Sequence, residues 1–337
     1  MPNGSSWWVG RDVVGLLREG RSGLRPRVVE VDVLRGFALF GISVVNAVGV
    51  SGAAGAGDGA GYWVYETLLH QRFFPIFSFL FGVSFGLFLD VVGERARHPR
   101  VVMLARLGFL VPFGALHRLL QPDEVLLSYA VVGVVVLLPA SFLSGRVVLA
   151  LGSLATVAAV LVAGGGSLLI PGLFLLGYAV QRFGVEVLLG LSLKRLVVVF
   201  AGGLLCAVVL NIWQVGSGSQ AGSRLAAVAG VVTGATYVIA VLLLLRWRAR
   251  GVLGVLAPVG RMALTGYVGA TLMIVAMDYF AEVSDFGTAV TLGIGVFLVE
   301  LAFSSLWLRH ARYGPLEWVW RCLTWWDVVP IRGRPEG

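Results

Sequence analysis

Apolar runs of about 20 residues recur along almost the whole chain, separated by short polar or glycine-rich joints, and runs of that length are what an α-helix needs to cross a bilayer. They predict an all-α polytopic transmembrane helix bundle of about ten spans, near 33–50, 73–92, 101–120, 125–143, 147–163, 168–182, 196–215, 225–245, 262–280 and 287–308. An amphipathic stretch, 62–72, leads into the second span. Arginines gather in alternate joints: Arg95, Arg97 and Arg100, then Lys194 and Arg195, then Arg246, Arg248, Arg250 and Arg261. The intervening joints are Gly/Ser-rich or acidic. By the positive-inside rule this alternation puts both termini in the cytoplasm. The organisation read from the pattern is a basic cytoplasmic arm over 1–29, a helical membrane domain over 30–312, and a cytoplasmic C-terminal tail over 313–337.

Composition sharpens that reading. The chain is 58% hydrophobic and only 13% charged, against about 25% charged in soluble domains. The net charge of +8 is explained by the arginine joints and points to a lipid bilayer rather than to nucleic acid. The two cysteines, Cys206 and Cys322, form no CxxC pattern, so neither a disulfide framework nor a metal site is expected. The 46 glycines, many within spans, suit close helix approach and are compatible with a homo-oligomer. The expected location is the cell (plasma) membrane, as a multi-pass protein.

Polar groups inside the spans are the candidates for chemistry, because ionisable side chains in hydrocarbon are costly. The first span, Asp32 to Val50, opens with Asp32 and Arg35 and contains Asn46. Arg35 and Asn46 are eleven residues apart, which puts them on one helix face about 16 Å apart along the axis. Arg106 and His117 repeat that spacing in the third span. Asp32 and Arg35, at i and i+3, are placed for a local ion pair. Glu300 stands in the last span with no base within a turn, so it is expected either to be paired across helices or to be held neutral. His70 is a further candidate base, whereas His98 and His310 fall in solvated joints. No soluble-enzyme motif is present. Gly82-Val-Ser-Phe-Gly86 has GxSxG spacing, but in mid-membrane and in a glycine-rich chain it reads as coincidence.

Five blocks resemble one family. Asp32-Val-Leu-Arg-Gly-Phe-Ala-Leu-Phe-Gly-Ile with Val45-Asn46 is similar to the N-terminal signature of the YeiB-like bacterial membrane proteins. Phe77-Ser-Phe-Leu-Phe-Gly resembles its second block, and Arg106, Gly114, His117, Asp123 and Tyr129 its third. Gly260-Arg-Met-Ala-Leu-Thr-Gly-Tyr and Tyr313-Gly-Pro-Leu-Glu-Trp-Val-Trp-Arg resemble the last two, and bring Glu317 and Arg321 into the substrate- or cofactor-binding set. That family is distantly similar to transmembrane acyltransferases. The resemblance implies no tightly bound cofactor, a cytoplasmic acyl-CoA as donor substrate, and a small-molecule, glycan or lipid acceptor. In those acyltransferases an Arg is followed by ten residues and a His. Here Asn46 takes the His position and cannot act as a base. A second departure is Gln121-Pro-Asp123-Glu124, where the family has a Gly-Asp-Ile-Leu block. The implied roles are His117 as general base with Asp123 orienting it, Asn46 donating to the oxyanion, and Arg35 and Arg106 holding the donor. A transporter or export permease, with Glu300, Asp32 and Arg35 along its path, is the alternative.

Overall fold

The computed structural model describes residues 28–53, 59–122, 124–247 and 250–332. Among them every extended element is helical: α1 (Val29–Val50), α2 (Ala60–Leu68), α3 (Phe73–Gly93), α4 (Pro99–Arg118), α5 (Leu126–Ala140), α6 (Gly145–Ala163), α7 (Leu169–Phe183), α8 (Leu193–Gly216), α9 (Arg224–Trp247), α10 (Ala257–Arg261), α11 (Ala263–Ala281), α12 (Phe286–His310) and α13 (Pro315–Trp325). Nine helical segments are long and apolar enough to span a membrane. The basic arm falls almost wholly outside the described residues, as does Asp123.

The tenth expected span, α5, is shorter than its sequence run. Its 15 residues would rise about 22 Å, less than a hydrocarbon core of about 30 Å. Pro139 has no N–H to return to the preceding turn, and the chain passes through a π turn, Gly133–Leu137, just before it. α5 nevertheless runs the length of α4. At one end Arg100 Nε donates to Ser141 Oγ at 2.9 Å and Nη2 to its carbonyl at 3.1 Å. At the other, His117 of α4 meets Glu124, just before α5. The pair is an antiparallel hairpin that returns the chain to the arginine-bearing side.

α1 is the axis of the bundle, with its sides taken by α10, α11, α12 and α3. Small residues make this approach physically allowed. A Cβ on Gly260 would lie 1.8 Å from the Asp32 carbonyl oxygen, and one on Gly293 would lie 2.5 Å from Val44 Cα. α3 and α7 cross the same way: a Cβ on Gly82 would fall 2.0 Å from the Phe174 carbonyl oxygen, and one on Gly177 2.0 Å from that of Phe79. α8 lies at the periphery and exposes Val198, Leu205, Val209 and Ile212, the composition of a lipid-facing surface.

The stretch leading into α3 is a short helix and a sharp joint rather than one continuous amphipathic segment. Gln71 takes a positive φ of 58°, and Arg72 is wholly buried. All three guanidinium nitrogens of Arg72 donate: Nε to the Thr67 carbonyl at 2.9 Å, Nη1 to that of His70 at 2.7 Å, and Nη2 to Asn211 at 2.9 Å and Gln214 at 2.6 Å. Beside it, Glu66 meets His70 Nδ1 and accepts from the Ala221 amide, both at 2.6 Å. This network pins α2 to α8 and the loop after it, and gives His70 a structural partner in Glu66.

Candidate functional site

The site is a cavity of about 190 Å³ enclosed by α1, α3, α4, α5, α10, α11 and α13. Its wall is mostly aromatic and aliphatic, with Phe77, Phe81, Phe85 and Phe88 of α3 facing Met103, Leu107 and Leu110 of α4. From Phe77 to Phe88 is eleven residues, so the wall extends about 16 Å along α3. Tyr129 is fixed in it by a 2.6 Å hydrogen bond with Ser78 and by surrounding rings, Phe174 at 5.0 Å and Phe81 at 5.3 Å between centroids.

The polar groups lining the cavity are Arg35, Ser84, Arg106, Arg261, Tyr267 and Glu317. Arg35 donates through Nη1 to Asp32 at 2.9 Å, the expected local ion pair, and through Nη2 to Ser84. Ser84 also donates to the Leu80 carbonyl. Gly82 and Gly86 on either side make room for Phe174 and Gln181, so the GxSxG spacing is a packing pattern. Arg106 is held differently. Its guanidinium carbon sits 3.7 Å from the Trp320 ring centroid and 4.2 Å from that of Phe88. Trp320 Nε1 donates to the Arg106 carbonyl at 2.7 Å, fixing α13 against α4.

Glu317 closes the wall. Its Oε1 accepts from the amides of Leu264 at 2.6 Å and Thr265 at 3.0 Å, and its Oε2 from Thr265 Oγ1 at 2.5 Å. It thereby caps the first turn of α11, an end no residue of α11 itself caps. Burial pushes the Glu317 carboxyl above the usual carboxylate range, and the hydrogen bonds from Thr265 and Leu264 pull against that shift. Residues 313–332, read from sequence as a tail, thus include a helix that forms part of the cavity. The strap after α13 turns back, with Trp318 Nε1 on the Val329 carbonyl at 2.7 Å and the Arg312 amide on that of Ile331 at 2.8 Å.

His117 lies behind this cavity, not in it. It is buried, and its ring meets Tyr267 at 4.8 Å between centroids. Nδ1 lies 3.3 Å from Glu124 Oε2. Glu124 also accepts from the amides of Leu126 at 2.6 Å and Leu127 at 2.9 Å, so it caps α5. Among the described residues the carboxylate that orients His117 is therefore Glu124. His117 Nε2 is enclosed without a hydrogen-bond partner.

The sequence-derived set divides. Arg35, Arg106 and Glu317 line one cavity, and Asp32 joins it through Arg35. Asn46 does not: its Nδ2 is enclosed without a partner on α1, next to the Ala47, Ala270 and Val296 contact. Glu300 is buried beside Gly266, with Oε1 lacking a partner. No cross-helix base meets it among the described residues. Arg321 stacks on Tyr313 at 4.9 Å outside the lining. The shared helix face of Arg106 and His117 does not bring them into one site, because Tyr267 stands between His117 and the cavity. Sequence reasoning missed Ser84, Glu124, Arg261, Tyr267 and Trp320. Arg261, Tyr267 and Trp320 stood inside quoted blocks, and their position there was the available signal.

A model described as "Protein of unknown function (DUF418)" matches residues 180–327. An uncharacterized 39.9 kDa protein in the amylase 3' region of Bacillus acidopullulyticus is 32% identical over 341 residues, covering 93% of this chain and 98% of the relative. Shorter stretches match the uncharacterized proteins YxaH of Bacillus subtilis (37% over 89 residues, 25% of this chain and 22% of the relative) and YeiB of Escherichia coli (42% over 72 residues, 20% and 19%). With one relative matched over 93% of this chain and 98% of its own length, and with the family model and YeiB matching besides, the chain belongs to the YeiB-like, DUF418 family.

Proposed function

We propose that the protein is a cell-membrane acyltransferase that takes an acyl group from a cytoplasmic acyl-CoA and passes it to a hydroxyl or amine at or across the membrane. The observation that carries the reading is the cavity: guanidinium groups beside an apolar aromatic wall, the complement of a donor with phosphates at one end and an acyl thioester at the other. At about 190 Å³ it is smaller than the roughly 300–1,000 Å³ that encloses a drug-sized ligand, so it takes one portion of acyl-CoA. In the reaction the acceptor oxygen or nitrogen bonds to the thioester carbonyl carbon, the carbon–sulfur bond breaks, and the acceptor's proton passes through a base to the departing thiolate, so that coenzyme A leaves as its thiol.

The His117–Glu124 pair supports the base role, with Glu124 fixing the imidazole through Nδ1 and leaving Nε2 unbonded. Tyr267 lies between that nitrogen and the cavity, so proton transfer requires Tyr267 to turn aside. The presence of Arg35 in the cavity lining supports the donor-holding role, whereas Asn46, the oxyanion donor of this reading, lies outside that lining. One observation favours the transport alternative: Glu300 is a buried carboxyl with an unbonded oxygen and no basic neighbour, a group suited to carrying a proton.

The deciding experiment follows thioester cleavage by purified protein across a panel of acyl-CoAs, with and without candidate acceptors. Acceptor-dependent release of coenzyme A, lost in His117→Gln, supports acyl transfer. No cleavage of any thioester by a protein that moves a solute in vesicles, with that movement abolished by Glu300→Gln, replaces the reading with transport.

A further inference from the structure

The cavity holds a cation that no acid among the described residues meets directly; Glu317, the acid in the same lining, has its oxygens engaged elsewhere. Arg35 is met by Asp32 and Ser84, and Glu317 is occupied by three donors of α11. Arg106 has neither kind of partner. Phe88 and Trp320 pack against its guanidinium, and no hydrogen bond from its side chain reaches an acceptor among the described residues. Ring contacts of this kind satisfy none of the five N–H donors along the guanidinium edge. The arrangement is fixed, because Trp320 is tied to the carbonyl of the residue it covers. An arginine keeps its charge in proteins, and enclosing it in apolar surroundings without an anion is unfavourable.

We propose that the edge of Arg106 is an anion site whose occupant is a phosphate group borne by an amphiphile, with the apolar part of that molecule along Phe77, Phe81 and Phe85. Phosphate is favoured over a single carboxylate by charge. Arg35, Arg106 and Arg261 all line the cavity, and Glu317 is the one acid that lines it. A planar guanidinium fork matches two phosphate oxygens. The inference rests on the donor-cavity reading for its location alone. The phosphate has two natural sources, the diphosphate of coenzyme A and the headgroup of an anionic lipid, and the site's chemistry is common to both.

The test uses the full chain in phosphatidylcholine nanodiscs, as the parent, Arg106→Gln and Arg106→Lys. Coenzyme A and inorganic phosphate are titrated by calorimetry. Phosphatidic acid is added to a second set of nanodiscs and its retention followed by native mass spectrometry. The parent should bind coenzyme A or retain phosphatidic acid, and whichever it takes identifies the source. Arg106→Gln should weaken that binding by about 10- to 150-fold, the range for a hydrogen bond to a charged group. Arg106→Lys keeps the charge without the fork and should fall between; it carries the comparison if the Gln variant fails to fold. Equal binding by all three proteins, no binding of any phosphate probe by the parent, or inorganic phosphate binding as tightly as the amphiphiles would each overturn the proposal. Arg106-dependent binding of coenzyme A without thioester cleavage refutes acyl transfer and leaves the anion site standing. Thioester cleavage that is unchanged in Arg106→Gln, together with unchanged binding of coenzyme A and phosphatidic acid, does the reverse.

Discussion

The α3–α7 crossing offers a quantitative prediction. Gly82 and Gly177 face each other's helices so closely that a methyl on either would sit 2.0 Å from a carbonyl oxygen of the partner. Ordinary contact begins at 3.4 Å, so Gly82→Ala must push the helices about 1.4 Å apart at the crossing or distort them, an overpacking cost of about 1–3 kcal/mol. The better helix propensity of alanine returns up to about 1 kcal/mol. The net expectation is a loss of up to about 3 kcal/mol, read as a fall of up to roughly 12 °C in Tm at about 2–4 °C per kcal/mol. Gly202 on α8 has nothing within 4 Å of its would-be Cβ, so Gly202→Ala is the control and should leave Tm unchanged or raise it. Both close contacts lie at one crossing, so helices already separated by the first methyl have room for the second. The Gly82→Ala/Gly177→Ala double variant should therefore lose less than the sum of the singles. The assay is thermal unfolding in detergent, followed by loss of monodisperse protein. If Gly82→Ala and Gly202→Ala melt together, or if the two close-contact variants simply add, the crossing is not rigid in the way described.

Reporter fusions after Gly165 and Gly218 should report outside and one after Arg97 inside; reversal of two would reject the ten-crossing arrangement in which α5 returns the chain. Arg35→Lys should lose most function while inserting normally, because its paired contacts to Asp32 and Ser84 need a fork, and full activity would reduce Arg35 to a bare charge. His117→Gln should retain coenzyme A binding yet lose transfer by about 10²- to 10⁴-fold, with parental turnover removing the base assignment. The raised Glu317 carboxyl stabilises the docked α13 below the ordinary carboxylate range, a contribution lost as pH rises through its elevated value. Hydrogen exchange in α13 should accordingly quicken with pH above that range, and an identical pH profile in Glu317→Gln would disprove the linkage.

Much of the bundle was legible because hydropathy records length directly: α6, α8, α9, α11 and α12 lie within a few residues of their apolar runs. The exception, α5, failed for a local reason. Pro139 and the π turn shorten a run whose composition alone reads as a full span. The site was half legible. Spacing correctly paired Asp32 with Arg35, since both lie on one helix turn. Spacing grouped Asn46 with Arg35 and His117 with Arg106 as well, but eleven residues on one face is still about 16 Å of separation, and other helices fill that distance. Asp123 lies outside the described residues; Glu124 meets His117 and caps α5 at the same time, which is a property of the turn rather than of residue type. Arg72 ends the amphipathic stretch 62–72. Its burial depends on Asn211 and Gln214, more than a hundred residues away, and no periodicity reports that.

The bond from Trp320 to the Arg106 carbonyl spans 214 residues, and it bears on biogenesis. α1, α3 and α4 emerge from the ribosome and enter the membrane early, carrying Arg35 and Arg106 with them. The wall that covers these two arginines arrives only when α13 has been made and has folded back. During the interval the binding chamber is a groove open on one side, accessible to lipid headgroups and to the insertion machinery. A ribosome stalled before α13 would release a chain that is inserted but unfinished, and quality control could distinguish it from the mature protein by that open groove alone.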